Sequence, residues 1–389
     1  MCRIRFLPVT AFLFLAPLLR ADDNDGKSLS NVKLVRVPNG GLQPQAVTDQ
    51  SGIHVVYFQG DPKAGDLYYA KLDSVKLTFG RPIRVNSQPG SAVAVGNIRG
   101  AHVAVGSEGR VHVAWMGSSV AEPKAPKGGS PMLYSRLNDA RTAFEPQRNV
   151  IENAEGLDGG GSIAAHGQTV CVFWHAGPHG KGEEARKIWM RVSRNGGKTF
   201  ERGEIQVNDD STGVCGCCGM RGFIHDSGTP VALYRSATNR VNRDTYLAFA
   251  PAGSKGIRSV KLHDWRVNVC PMSSFSLAGA DKHAIAAWET DGQVYFSKLD
   301  ISKENPIITQ PEAVPGATGR RKHPIAASGN RGHIVVWTEG MGWNRGGSLA
   351  WQVYDNDNRP TADRGRANGV PTWSLVAVAA AGERFVIVY

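Results

Sequence analysis

The 389-residue chain carries 45 Lys and Arg against 34 Asp and Glu, a formal charge of +11, with 41% hydrophobic residues, 46 Gly and 21 Pro. That apolar content supports a sizeable core and excludes disorder, while the Gly and Pro leave little room for long helices and follow no three-residue collagen period. No apolar stretch of about 20 residues recurs, which excludes a polytopic membrane protein and leaves an all-β chain as the expectation.

The chain opens on a short basic start, Met1 to Arg5, followed by an apolar run from Phe6 to Leu19. This reads as a secretory signal cleaved after Ala21, leaving 22–389 as one secreted or periplasmic domain with no stable membrane insertion. Loss of Arg3, Arg5 and Arg20 lowers the formal charge from +11 to +8, which favours anionic ligands. Nucleic acid is not an expected partner, because the charges are scattered and no binding motif is present.

A two-strand unit then recurs, each time ending on an aromatic: HVVYFQ, VHVAWMG, VCVFWHA, VALYRS, AIAAWET, IVVWTE and FVIVY. The aromatics are Tyr57, Trp115, Trp174, Tyr234, Trp288, Trp337 and Tyr389, spaced by 49 to 60 residues. Six of the hairpins are followed by a third alternating strand: DLYYAK, MLYSRL, IWMRVS, TYLAFA, VYFSKL and LAWQVY. Units of this size predict a β-propeller of six or seven blades, with seven hairpins favouring seven, because radial repetition protects sheet edges. The last unit lacks outer strands, and the segment Asn31 to Val37 is expected to supply one and close the ring.

The phrase from Ser193 to Phe200, SRNGGKTF, resembles the Asp-box, S-x-D-x-G-x-T-F, of sialidase-like propellers, with Asn195 in place of Asp. Ser193, Gly197, Thr199 and Phe200 match; Asn195 is expected to bond turn amides, Gly197 to permit the tight backbone and Phe200 to anchor the turn. SRLNDARTAF, from Ser135 to Phe144, looks like a decayed copy. The motif covers eight residues and is structural, so it speaks for fold rather than activity.

Propeller topology brings residues before first strands and after second strands to one axial face. These are Asp158, Cys218, Cys270 and His323, with His175, Arg235, Glu289 and Glu339. The sialidase resemblance implies an arginine cluster that grips a carboxylate, for which Arg235, Arg243 and Arg321 are the candidates, and a catalytic carboxylate at Glu289 or Glu339. The family's Arg-Ile-Pro motif is absent; Gly80 to Arg84 does not replace it, and no tyrosine nucleophile is assignable by motif. Arg243 and Asp244 are adjacent and expected to pair, with Arg235 free to face the ligand. The stretch YRSATNRVNRD also resembles bacterial sialidase-like propellers that carry C-x-C-C followed by Cys-Pro, a subgroup often named exo-α-sialidase.

Of six cysteines, Cys2 leaves with the signal and Cys171 alternates into a strand interior as an inert thiol. Cys215, Cys217, Cys218 and Cys270 are expected to form one unit, either two disulfides or a thiolate metal site; no cofactor is otherwise implied. Segments 121–131 and 176–187 read as exposed excursions. Trp343, in a Gly-rich loop, either stacks on a sugar or folds back on its own blade. The reading is an exported propeller that acts on or binds a glycan or similar anionic ligand, either as an exo-glycosidase of sialidase type or as a non-catalytic glycan- or protein-binding module.

Overall fold

Each recurring phrase becomes the second strand of a separate sheet in the computed structural model, which describes residues 31–249, 256–280, 283–302, 306–316 and 319–389. The expected signal at 1–21 lies outside the described residues. Seven antiparallel-cored sheets follow one another along the chain, and we number them as blades 1 to 7 in order of their first strands. Those first strands are Leu42–Asp49, His102–Val105, Leu157–His166, Arg221–Ile224, Ser276–Ala280, Arg321–Gly329 and Ala377–Ala381. All seven line one axial cavity of about 280 Å³, which identifies them as the innermost strands of a seven-bladed propeller. The expectation of an all-β propeller is therefore met, with the count fixed at seven. Among the described residues, no helix is long and apolar enough to cross a membrane.

Residue size follows position. The second strands are covered on both faces by neighbouring blades, so they read as largely apolar runs; Val111–Met116 is buried at every residue, and its one polar member, His112, lies 2.8 Å from the Tyr134 hydroxyl. The first strands crowd toward the axis and use small residues. At Gly222 and Gly279 a Cβ would collide with the Phe173 and Phe223 rings of the preceding blade, so glycine there lets an aromatic seal the seam. The repeat aromatics from Tyr57 to Trp337 are all at most 4% exposed and each sits in a different buried cluster.

The turn from Ser193 to Phe200 joins the third and fourth strands of blade 3. Asn195 Oδ1 accepts the Thr199 amide at 3.0 Å, Ser193 Oγ accepts the Gly197 amide at 2.9 Å, and Phe200 meets Tyr134 of blade 2 edge-to-face at 5.0 Å. The corresponding turn of blade 2 repeats the logic, with Asn138 Oδ1 accepting the Thr142 amide at 3.0 Å.

Blade 7 is assembled from both ends of the described chain. Its strands are Ala377–Ala381, Arg384–Val388 and Val32–Val35, and the last two run parallel with Val32 opposite Phe385 and Val35 opposite Val388. Asn31 O accepts the Phe385 amide at 2.9 Å, Val35 O accepts the Tyr389 amide at 3.0 Å, and the Val37 amide reaches Tyr389 O at 2.9 Å. Arg36 stacks over the Tyr389 ring at 3.8 Å. Removing residues 31–37 is therefore expected to lower the melting temperature of the whole propeller in a thermal scan, because strand Arg384–Val388 becomes a bare edge. An unchanged melt would show that the ring does not depend on this strand.

Candidate functional site

The axial face at the start of the first strands is crossed by one segment, Gly96 to Gly100, from the connection between blades 1 and 2. Ile98 is 7% exposed and packs near Gly219 of blade 4, and a Cβ at Gly160 of blade 3 would press on its carbonyl. Asn97 donates to Ser374 O at 3.1 Å and lies 3.3 Å from His323 Nε2; Arg99 donates to Asp158 at 2.9 Å. The segment closes the end of the axial cavity with contacts to blades 3, 4 and 6 and to the loop entering blade 7.

Around this stopper the structure gathers many of the expected residues, though most are committed to the protein itself. His175 is fully buried with Nε2 3.2 Å from Cys218 O; burial, reinforced by the Arg186 charge, lowers its pKa to about 4. His323, at φ 51° and 2% exposed, holds Asn97 and Ser274, and burial brings it down to about 3. Both imidazoles are thus neutral posts. Asp158 bridges Arg99 and, at 3.8 Å, Arg186.

The expected three-arginine grip is not assembled. Arg235 is 1% exposed; its Nη1 donates to Arg243 O at 2.7 Å, its Nη2 to Glu289 O, and its guanidinium lies over Trp265 at 4.7 Å and Phe275 at 5.2 Å. Arg243 pairs with Glu183 at 2.7 Å rather than with Asp244, which instead accepts the Trp265 amide at 2.8 Å. Arg321 bonds Gln293 at 2.9 Å and lies 3.5 Å from Glu339, whose carboxylate also holds Arg366 at 3.1 Å and the Trp337 indole at 2.9 Å. The physical reason is shared: each guanidinium lies at a blade seam with carbonyls and acids in reach, and each is at most 8% exposed.

Glu289 is the exception among the acids. It is 1% exposed, with Oε1 accepting the Gly292 amide at 2.7 Å and Oε2 buried with no hydrogen-bond partner in the protein. Burial pushes its pKa up, against the opposing pull of the Arg235 charge and the Gly292 amide. The folded state then binds this proton more tightly than the unfolded chain, so the associated stability is full below the ordinary carboxylate range and is lost as pH rises through the folded value. Glu289→Gln keeps an acceptor for Gly292 and removes that loss. Melts between about pH 4 and about pH 8 should show the variant above wild type at the upper end and level with it at the lower, bracketing ordinary carboxylate titration; wild type melting higher at the upper end would contradict the argument.

The cysteines divide three and one. Sγ of Cys215 lies 3.3 Å from that of Cys217 and 3.5 Å from that of Cys218, and all three sulfurs fall within 4.8 Å of one another, close enough to hold a metal ion. All five described cysteines are free thiols, and Cys270 is exposed and outside the group. Topology did bring its segment alongside, since the Met272 and Ser273 amides reach the sulfurs of Cys217 and Cys218, but the Cys270 side chain faces away. Burial opposes ionisation of Cys218; contacts from Cys215 and Cys217, the Arg235 charge and the Ser273 amide outweigh it and hold this thiol well below the ordinary range. Cys215, whose thiol donates to Cys218 and also contacts Cys217, is pushed up.

Sequence reasoning missed Glu183. Segment 176–187 is not a loose excursion there: Glu183 accepts the Gly216 amide at 2.6 Å and its carbonyl accepts the Val214 amide at 3.0 Å, while its carboxylate holds Arg243. Segment 121–131 is likewise pinned by buried Ala121 and Ala125. The Gly182–Glu183–Glu184 run offered a charge signal but no spacing that pointed to a partner about 60 residues away.

Trp343 is 47% exposed, the one aromatic among the exposed large hydrophobic side chains of the described residues. It leans over Gly96, where a Cβ would lie 3.2 Å from the ring. With Asn97, Met272, Lys322, His323 and Met341 it lines a small pocket of about 40 Å³ beside the stopper.

No protein-family model matches the chain, and no curated protein matches it. Among solved structures, the α-L-arabinanase of Penicillium chrysogenum, complexed with arabinobiose, superposes with a TM-score of 0.51 at 12% identity over 82% of this chain and 94% of that one. A Hadza microbial sialidase gives 0.48 at 11% identity over 84% and 71%, and the leech intramolecular trans-sialidase 0.48 at 8% over 84% and 78%. At these identities the likeness is one of fold.

Proposed function

We propose that this is an exported propeller that binds a glycan at the shallow pocket beside Trp343. The carrying observation is that exposed indole, set beside Lys322 and Asn97 and more open than Trp265 and Trp373, which are half-buried: an open ring face suits the apolar side of a pyranose, and a cation with an amide suits its hydroxyls or an acidic substituent. Sialidase-type hydrolysis is less well supported, because Arg235, Arg243 and Arg321 are each at most 8% exposed and turn their terminal nitrogens to the protein's own carbonyls and acids.

A glycan array that includes sialosides and arabino-oligosaccharides, followed by titration calorimetry, tests the reading. Trp343→Ala is expected to weaken binding about tenfold or more, in keeping with the loss of an exposed stacking anchor, while leaving the melt unchanged. Absence of any array signal would sink it. The raised carboxyl of Glu289 favours a second reading, a glycosidase in which this residue supplies a proton. That reading requires turnover on the same sugars, abolished in Glu289→Gln with binding retained.

A further inference from the structure

We infer that Cys215, Cys217 and Cys218 form a three-coordinate site for a soft monovalent cation of the Cu(I) type. The inference is independent of the glycan reading and rests on the geometry of one four-residue turn. A trigonal site with metal–sulfur bonds of roughly 2.3 Å places its sulfurs about 4.0 Å apart. The separations from Cys215 here, 3.3 and 3.5 Å, and the 4.8 Å bound on the whole group bracket that spacing, so an ion enters with sub-ångström shifts of side chains already converged.

The turn is held in place from several sides. The Cys215 amide donates to Arg235 O at 3.0 Å, that of Gly216 to Glu183 at 2.6 Å, that of Cys218 to Cys215 O at 3.4 Å and that of Gly219 to Ser273 O at 2.9 Å. This fixes the thiols before any ion arrives and reduces the ordering cost of binding. Around them, the Met272 and Ser273 amides and the Arg235 guanidinium supply the positive surroundings that a cluster of thiolates needs.

The ligand set selects the ion. Thiolates favour Cu(I), zinc or iron–sulfur clusters. A structural zinc site is closed by four protein ligands, and among the described residues no fourth His, Cys, Asp or Glu atom joins the group. Of the two spare cysteines described, Cys270 is exposed and Cys171 is buried in strand Thr169–Ala176, and neither belongs to the group. A closed-shell monovalent ion is satisfied by three sulfurs. Cys215 and Cys218 are buried and Cys217 is half-buried, so the ion enters past Cys217. Binding replaces S–H bonds by S–metal bonds, the displaced protons pass to solvent, and copper stays Cu(I) throughout.

The full chain, reduced and handled without oxygen, is titrated with Cu(I) supplied as its acetonitrile complex, in competition with a chromophoric Cu(I) chelator. One equivalent is expected to be retained, with X-ray absorption showing three sulfur neighbours. Cys217→Ser should weaken retention by at least the roughly 10–100-fold that losing even a supporting partner of a metal ligand costs, and Cys270→Ser should leave it unchanged. Retention equal in Cys217→Ser and wild type, zinc held in preference to Cu(I), or a disulfide within the triad in unreduced peptide mapping would each overturn the proposal. Melting curves of Cys217→Ser without metal confirm that any loss belongs to the site and not to the fold.

Discussion

Arg235→Met is expected to cost the fold about 3–5 kcal/mol in urea denaturation, because two buried carbonyls lose a charged donor and the ring stack over Trp265 and Phe275 is lost with it. The guanidinium ties the end of the second strand of blade 4 to Arg243 in the neighbouring loop and to Glu289 in blade 5. Lysine retains the charge on one compact head and cannot span both carbonyls, so Arg235→Lys should recover only part of the loss. The experiment also separates two roles. A variant that binds no ligand yet unfolds within about 0.5 kcal/mol of wild type, the range of an ordinary surface change, would make Arg235 a ligand grip, contrary to its geometry.

Trp288→Ala should be of similar size, about 3–5 kcal/mol, since it empties the largest side-chain volume in the core shared by blades 4 and 5. Its indole N–H also donates to His263 Nδ1 at 3.0 Å, so Trp288→Phe preserves most packing and loses that bond, for an expected cost of about 1–2 kcal/mol. If the two variants lose equal stability, the polar contact and not the packing holds this seam. Because Glu289 follows Trp288 directly, the alanine variant should also disturb the raised carboxyl, which the phenylalanine variant should spare.

Much of the ring was legible because its signal is local and repeated. Tyr57, Trp115, Trp174, Tyr234, Trp288 and Trp337 each lie toward the end of a second strand at a regular interval, and burial on both faces keeps those strands mostly apolar, with buried histidines such as His54 and His112 as the exceptions. The choice of axial face was legible too, since strand polarity alone brings His175, Arg235 and Glu289 to the same end of their blades. What the residues do there was not. Arg243 finds Glu183 from a loop about 60 positions earlier, and no pattern in either segment announces the other. Cys270 fails to join the other cysteines for a subtler reason. Its segment arrives where topology places it, but in extended chain neighbouring side chains point to opposite sides, and nothing in the spacing fixes that parity outside a paired strand.

The segment Gly96 to Gly100 makes the seven units unequal. In most repeat architectures the stability of the whole is close to a sum of each unit and its contact with the next. Here a single stretch from the junction of blades 1 and 2 touches Asp158, Gly219, His323 and Ser374, adding terms between units that share no seam. Changes at Asp158 and His323, three blades apart, therefore belong to one cooperative unit through Asn97 and Arg99, and their effects will not add as those of distant sites ordinarily do. A blade could not be duplicated, deleted or exchanged with its neighbour without rebuilding this hub, so the visible sevenfold repetition is a property of the rim and not of the axis.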